Sequence, residues 1–98
     1  DRKSNPSSAD ALSLSISDDH WQVRKFSLRA LNPHVSEKYS SNILPLLCDD
    51  YSDVRKEAAL ALGGISTDQS RSALMQSIND SDIEVRIASE KSLARISN

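Results

Sequence analysis

The 98 residues suffice for one small domain or for a segment of a longer array. Hydrophobic residues make up 38% of the chain, aromatic residues 4% and charged residues 27%, so any core must be aliphatic, and the chain is not polar enough to be disordered. A net charge of −2 argues against a polyanion-binding protein, and no apolar run approaches the ~18 residues of a membrane span. The lone Cys48 excludes a disulfide framework and fits a reducing compartment, so we expect a cytoplasmic protein.

Six helices are predicted in chain order, because apolar residues recur at helical spacing in six segments that polar residues separate. With 2 Gly and 3 Pro, the chain has too few of these turn-forming residues for a many-stranded β protein. The predicted helices lie near 7–17, 20–32, 37–48, 51–64, 68–79 and 82–97.

The chain also repeats itself, since the dipeptide Val-Arg occurs three times at a spacing of 31 residues. At this period residues 6–98 divide without a gap into the units 6–36, 37–67 and 68–98, each with two predicted helices. One helical pair cannot bury both sides of its apolar faces, so we expect the pairs to stack around one continuous core, with the Val column buried at equivalent sites. The identical columns are Asp18/Asp49/Asp80, Val23/Val54/Val85, Arg24/Arg55/Arg86 and Leu31/Leu62/Leu93.

The start of each second helix carries capping-box spacing, in which a short polar side chain caps the helix and a second polar residue follows three positions later. The predicted N-caps are Asp19, Asp50 and Ser81, followed by Gln22, Asp53 and Glu84.

Residues 1–5 precede the first unit and are expected to be disordered or extraneous to the domain.

Residues 49–65, DDYSDVRKEAALALGGI, resemble the second half of a HEAT-like repeat, and residues 43–47 with their Pro resemble its first helix. The repeats are most similar to the short variety first named from phycobilisome lyases, and the resemblance covers residues 6–98. It implies an all-α fold, a right-handed α-solenoid of three HEAT-like helical pairs whose second helices line the concave side. It also implies that the repeated Asp and Arg form a structural ladder, which suits a planar guanidinium that can bridge two acceptors. The ladder residues are Asp18, Arg24, Asp49, Arg55, Asp80 and Arg86.

No catalytic constellation is present in the sequence. His20 and His34 lack a metal-binding spacing, and there is no second Cys for a zinc site. We therefore expect no enzymatic activity, no metal and no cofactor. Cys48 lies at the end of an apolar helix and is expected to be a buried, inert thiol.

The varying outward columns of the second helices are the candidate binding surface. The columns 21/52/83, 25/56/87 and 29/60/91 contain four cations and no acid, together with apolar residues. Such a mixture suits an acidic or amphipathic peptide or helix of a partner protein. Replacing Lys25 and Arg29 together by Glu is expected to weaken partner binding and to leave helicity intact. The candidate partner-binding residues are Trp21, Lys25, Arg29, Lys56, Leu60, Ile83, Ile87 and Lys91.

The leading hypothesis is a non-catalytic protein–protein interaction scaffold module, either alone or as a segment of a longer HEAT-repeat protein. One alternative is an accessory or lyase-like subunit that acts on a tetrapyrrole-bearing protein, which rests only on the resemblance to the lyase repeats. A second alternative, nucleic-acid binding, is suggested by the cluster of Arg24, Lys25 and Arg29 and opposed by the acidic total. At the C-terminal end, a further repeat or a second chain is expected to contact Met75, Ile83, Ile87 and Ile96.

Overall fold

The computed structural model describes residues 8–97, and over this range the chain forms six α-helices and no β-strand. The predicted all-α class is therefore confirmed, whereas the prediction for residues 1–5 lies outside the described residues. The helices are α1 (Ser8–Ser15), α2 (Trp21–Leu31), α3 (Ser40–Ile43), α4 (Ser52–Leu62), α5 (Asp68–Ser77) and α6 (Ile83–Ser97).

The second helices of the three predicted units form one row, because α2 packs against α4 and α4 packs against α6. The first helices lie against this row, α1 on α2 and α5 on α6, so the fold is an all-α solenoid. As the composition predicts, the buried core is mainly aliphatic and runs through all three units. Its fully buried members include Ile16, Leu28, Leu31, Ile43, Val54, Leu62, Leu74 and Val85.

The third predicted helix, 37–48, is broken into a 3₁₀ turn, the short α3 and a second 3₁₀ turn over Leu44–Cys48. Pro45 causes the break, because it has no N–H to donate and its ring clashes with the carbonyl four residues earlier. In a 3₁₀ turn residues three apart share one face, so Leu44 and Leu47 both pack inward. Cys48 then points outward, and the prediction of a buried thiol is wrong.

The Val column is not equally buried, which contradicts the expectation of three equivalent sites. Val54 and Val85 are fully buried, whereas Val23 is 39% exposed. Phe26 and Ala30 on the same helix are exposed as well. On α4 this side faces the preceding unit, since Glu57, three residues after Val54, pairs with Arg29 of α2, whereas α2 is the first helix of the described row.

The predicted N-caps at Asp19, Asp50 and Ser81 are also wrong. Asp82 caps α6, since its carboxylate accepts the backbone N–H groups of Glu84 at 2.9 Å and Val85 at 3.2 Å. The helices α2 and α4 begin after His20 and Tyr51, and neither residue forms a side-chain cap. The reason is a turn at the repeated Asp, which accepts the N–H two residues later and delays each helix by one residue.

Candidate functional site

The repeated Arg and Asp side chains form ion pairs that cross both boundaries between units. Arg24 Nε donates to Asp49 Oδ2 at 2.7 Å, and Arg55 Nε donates to Asp80 Oδ2 at 2.9 Å. In both pairs Nη2 donates to the second carboxylate oxygen at 3.1 Å, which makes the contact bidentate. The Nη1 groups donate to the carbonyls of Asp18 and Asp49 at 2.8 Å, so each guanidinium bridges two units.

Each repeated Asp also holds its own turn by accepting a backbone N–H. Burial raises the pKa of Asp80, but hydrogen bonds from Arg55 and from the N–H of Asp82 outweigh burial and hold the pKa below its usual 3.8. The N–H of His20 lowers the pKa of the Asp18 carboxyl in the same way. These two carboxylates are therefore ionised at neutral pH.

Arg86 repeats only the bond within its own unit, from Nη1 to the Asp80 carbonyl at 2.7 Å. Its Nε and Nη2 groups have no carboxylate partner in the described part of the chain. The structure thus pairs Arg24 and Arg55 with the unit that follows, and the last arginine stands at the end of the row.

Two cations of the candidate binding surface pair with acids of the following unit. Lys25 Nζ lies 3.4 Å from Asp53 Oδ2, and Lys56 Nζ lies 3.1 Å from Glu84 Oε1. Both pairs join residues 28 positions apart. An inspection of the outward columns alone misses these acids, because they lie in neighbouring columns and come close only after the units stack.

Arg29 is paired more strongly, since its Nη2 lies 2.9 Å from Oε2 of the buried Glu57. Replacing Lys25 and Arg29 by Glu would add a carboxylate beside that buried one and would disturb the stacking of the units. Lys91, by contrast, has no ion-pair partner among the residues that the structure describes.

Trp21 packs between units. Its ring stacks on that of Tyr51, with the ring centroids 4.9 Å apart and the planes 15° from parallel, and Lys25 Nζ lies 5.9 Å from the Trp21 centroid. Two apolar residues of α6, Ile83 and Ile87, remain at least half exposed. The α2 residues of the candidate surface are therefore largely occupied by contacts between units, and the exposed apolar area of that surface lies on α6.

A groove between α4 and α6 brings four of the eight predicted residues together. It encloses about 220 Å³ and is lined by three apolar side chains, two lysines and one glutamate. Trp21, Lys25, Arg29 and Ile83 do not line it. The residues of this groove, named the α4–α6 groove below, are Lys56, Leu60, Glu84, Ile87, Ala88 and Lys91.

A second cavity, of about 270 Å³, lies between the 3₁₀ turn at Leu44–Cys48 and the end of α5. It exposes Cys48 beside Gln76 and Asn79. Over residues 8–97, no group of three or more His, Cys, Asp or Glu side chains is arranged to hold a metal ion.

The sequence model of the family described as HEAT repeats matches residues 8–94. The chain belongs to the HEAT repeat family. The match reaches into all three predicted units and confirms the family inferred from residues 49–65, while the likeness to the lyase variety stays a prediction. No curated protein matches this HEAT chain.

HEAT repeats generally mediate protein–protein interactions, and members of the family are typically scaffolds without catalytic activity. Within the described range of this HEAT protein, no helix is both long and apolar enough to cross a membrane.

Proposed function

We propose that this chain is a non-catalytic protein-binding module that holds an acidic, amphipathic segment of a partner in the α4–α6 groove. The observation that carries the proposal is a groove lined by the apolar residues Leu60, Ile87 and Ala88 together with Lys91. Among the described residues, Lys91 has no intramolecular carboxylate partner. An apolar side chain of the partner would fill the groove, and a carboxylate would pair with Lys91.

The size of the groove favours a protein segment over a free cofactor. At about 220 Å³ it is smaller than the ~300–1,000 Å³ that is usual for small-molecule sites. It accommodates one or two anchoring side chains, whereas a tetrapyrrole would extend well beyond it. This comparison supports the protein-binding proposal over the tetrapyrrole alternative.

The ion pairs between units argue against nucleic-acid binding. Arg24, Lys25 and Arg29 form the basic cluster of α2, and each is matched by a carboxylate of the following unit. Phosphate binding depends on cations that are free to neutralise phosphates. Because the cations of this cluster are already paired, little positive charge on α2 is free to neutralise phosphates.

Selection of peptides on the immobilised chain tests the proposal. We expect enrichment of amphipathic sequences with an acidic residue, and labelled versions of the enriched peptides should bind when measured by fluorescence anisotropy. Replacing Ile87 by Asp or Lys91 by Glu should weaken this binding at least about tenfold, because both place a carboxylate where the peptide presents apolar or acidic groups.

Matched controls lie outside the groove. Met75→Asp changes an exposed apolar residue of α5 and Lys38→Glu an exposed cation, and both should leave the peptide affinity unchanged. Circular dichroism checks that every variant is folded. Peptides whose affinity does not respond to either groove variant would contradict the proposal, as would tight binding of a labelled DNA duplex at physiological salt or a visible spectral shift with a bilin.

A further inference from the structure

The two boundaries between units share two kinds of ion pair at the same offsets. The arginine of one unit pairs with the Asp 25 residues later, as Arg24 does with Asp49 and Arg55 with Asp80. A second set of ion pairs spans 28 residues. Each unit therefore presents donors on its C-terminal side and acceptors on its N-terminal side. The pairs of the second set are Lys25–Asp53, Arg29–Glu57 and Lys56–Glu84.

The C-terminal end of the row carries the donor half of such a boundary. The Nε–Nη2 edge of Arg86 has no carboxylate partner over residues 8–97. Ile83 and Ile87, at the positions where Trp21 and Lys25 contact the next unit, are 61% and 50% exposed. This end has both an unpaired cation and uncovered apolar area.

The N-terminal end carries the acceptor half. Asp18 is held in the same turn as its two counterparts by the backbone N–H of His20, and its Oδ1 also lies 3.2 Å from the His20 ring Nδ1. The Asp18 side chain is 40% exposed, against 6% for Asp49 and 11% for Asp80. Val23 and Phe26, on the side of α2 that would face a preceding unit, are also exposed. This end thus offers a preformed carboxylate and exposed apolar side chains, whereas the other end offers the free guanidinium edge of Arg86.

We infer that a second copy of this chain stacks head to tail on the first, with Arg86 of one copy paired to Asp18 of the other. The offset of the Arg29–Glu57 pair also places Lys91 against the ring of Phe26, and the offset of the Trp21–Tyr51 stack places Ile83 against His20. The contact joins unlike surfaces, so it does not close on itself, and assembly continues beyond the dimer as concentration rises.

Glu90 sets the strength of this junction. It is exposed and occupies the column in which Leu28 and Ala59 are buried against the following unit. Stacking would remove the Glu90 carboxylate from water, which is unfavourable without a cation beside it. The junction between copies is therefore weaker than the internal boundaries, and the association is reversible.

Sedimentation equilibrium of the full chain, from micromolar to millimolar concentration, tests the inference. We expect the average mass to rise above that of the monomer. Asp18→Lys and Arg86→Glu each bring like charges together and should weaken association more than about tenfold. The double variant, or an equimolar mixture of the two single variants, should restore association because every junction again joins opposite charges.

Two further variants separate this register from other modes of contact. Glu90→Ala should strengthen association, because Ala occupies the equivalent buried position 59. Arg71→Glu is a matched charge reversal on α5, where Arg71 forms an ion pair with Asp68 of its own helix, and it should leave the mass distribution unchanged. Circular dichroism checks that each variant is folded.

A chain that stays monomeric to millimolar concentration would overturn the inference. Association that survives both single reversals, or that Glu90→Ala fails to strengthen, would overturn the proposed register. Ile87 and Lys91 belong both to this junction and to the α4–α6 groove, so the test varies residues that do not line the groove. Asp18 lies outside the groove, so Asp18→Lys should retain peptide affinity, and a loss of affinity would contradict the assignment of peptide binding to the groove.

Discussion

Glu57 is a buried carboxylate in the middle of the row of second helices, with 6% of its side chain exposed, and its ion-pair partner is Arg29. A charge of this kind is tolerated only when it is paired and hydrogen-bonded. We expect Arg29→Met, which keeps the aliphatic stem, to lower the free energy of unfolding by about 1–3 kcal/mol, because it leaves the carboxylate unsatisfied. Urea denaturation monitored by circular dichroism measures the change.

The same substitution in a Glu57→Gln background is the control. With no buried charge left to satisfy, Arg29→Met should lose much less stability there, and the difference between the two backgrounds gives the coupling of the pair. An equal loss in both backgrounds would show that Arg29 contributes through packing alone.

Individual residues could be predicted where they repeat, but not where their partners depend on stacking. Four identical columns are visible in the sequence, and the Arg and Asp among them do meet. Nothing in one unit indicates that Arg29 meets Glu57, because the two residues become neighbours only when one helix packs against the next. For the same reason, the predicted surface includes four of the six residues that line the groove but omits Glu84 and Ala88.

The close contact between α4 and α6 depends on small residues at the end of α4. The last carbonyls of a helix have no partner within it, and the Ser92 hydroxyl of α6 donates to the carbonyl of Ala59 at 2.6 Å. A Cβ atom added at Gly63 would lie 2.6 Å from Ser92 Oγ and 3.0 Å from Ser92 Cβ. The two helices can therefore approach this closely only with glycine at position 63.

We expect Gly63→Val to lower the free energy of unfolding by about 1–3 kcal/mol, because the added side chain pushes α6 away from α4. Ala94→Val is the matched control, since Ala94 occupies the equivalent column of the last unit and is exposed. Its effect should stay within about 0.5 kcal/mol. Urea denaturation compares the two, and equal effects would contradict the argument from close approach.

At the level of elements, the number and class of the helices follow from the sequence, but some of their ends do not. Helical periodicity and the period of 31 residues predict six helices, and the structure has six over the described range. Pro45 is visible in the sequence, yet the periodicity of Ile43 and Leu47 conceals its effect, because α3 keeps Ile43 inward and the 3₁₀ turn that follows keeps Leu47 inward. The starts of α2, α4 and α6 were placed one residue early, because the turn at the repeated Asp was not recognised.

The three units are not equivalent within residues 8–97, because in this range the first has no unit before it and the last has none after it. An array of stacked units gains its stability from the contacts between neighbours as well as from each unit. The same residue type in the same column can therefore have a different environment in each unit. Val23, Val54 and Val85 show this directly, since the first is exposed at the end of the row and the other two are fully buried between units.

Replacing each Val of this column by Ala measures how the environment differs between the units, because the chemical change is the same at all three positions. We expect Val54→Ala and Val85→Ala to lower the free energy of unfolding by about 2 kcal/mol each, because each removes buried methyl groups and leaves a cavity. Val23→Ala should change it by less than about 0.5 kcal/mol, because water already reaches that side chain. Urea denaturation at low micromolar concentration, where association through the ends is weakest, provides the comparison. A loss at Val23 equal to that at Val54 would mean that the exposed side of α2 is covered in solution, and the same measurement repeated with Asp18→Lys would then show whether a second copy covers it.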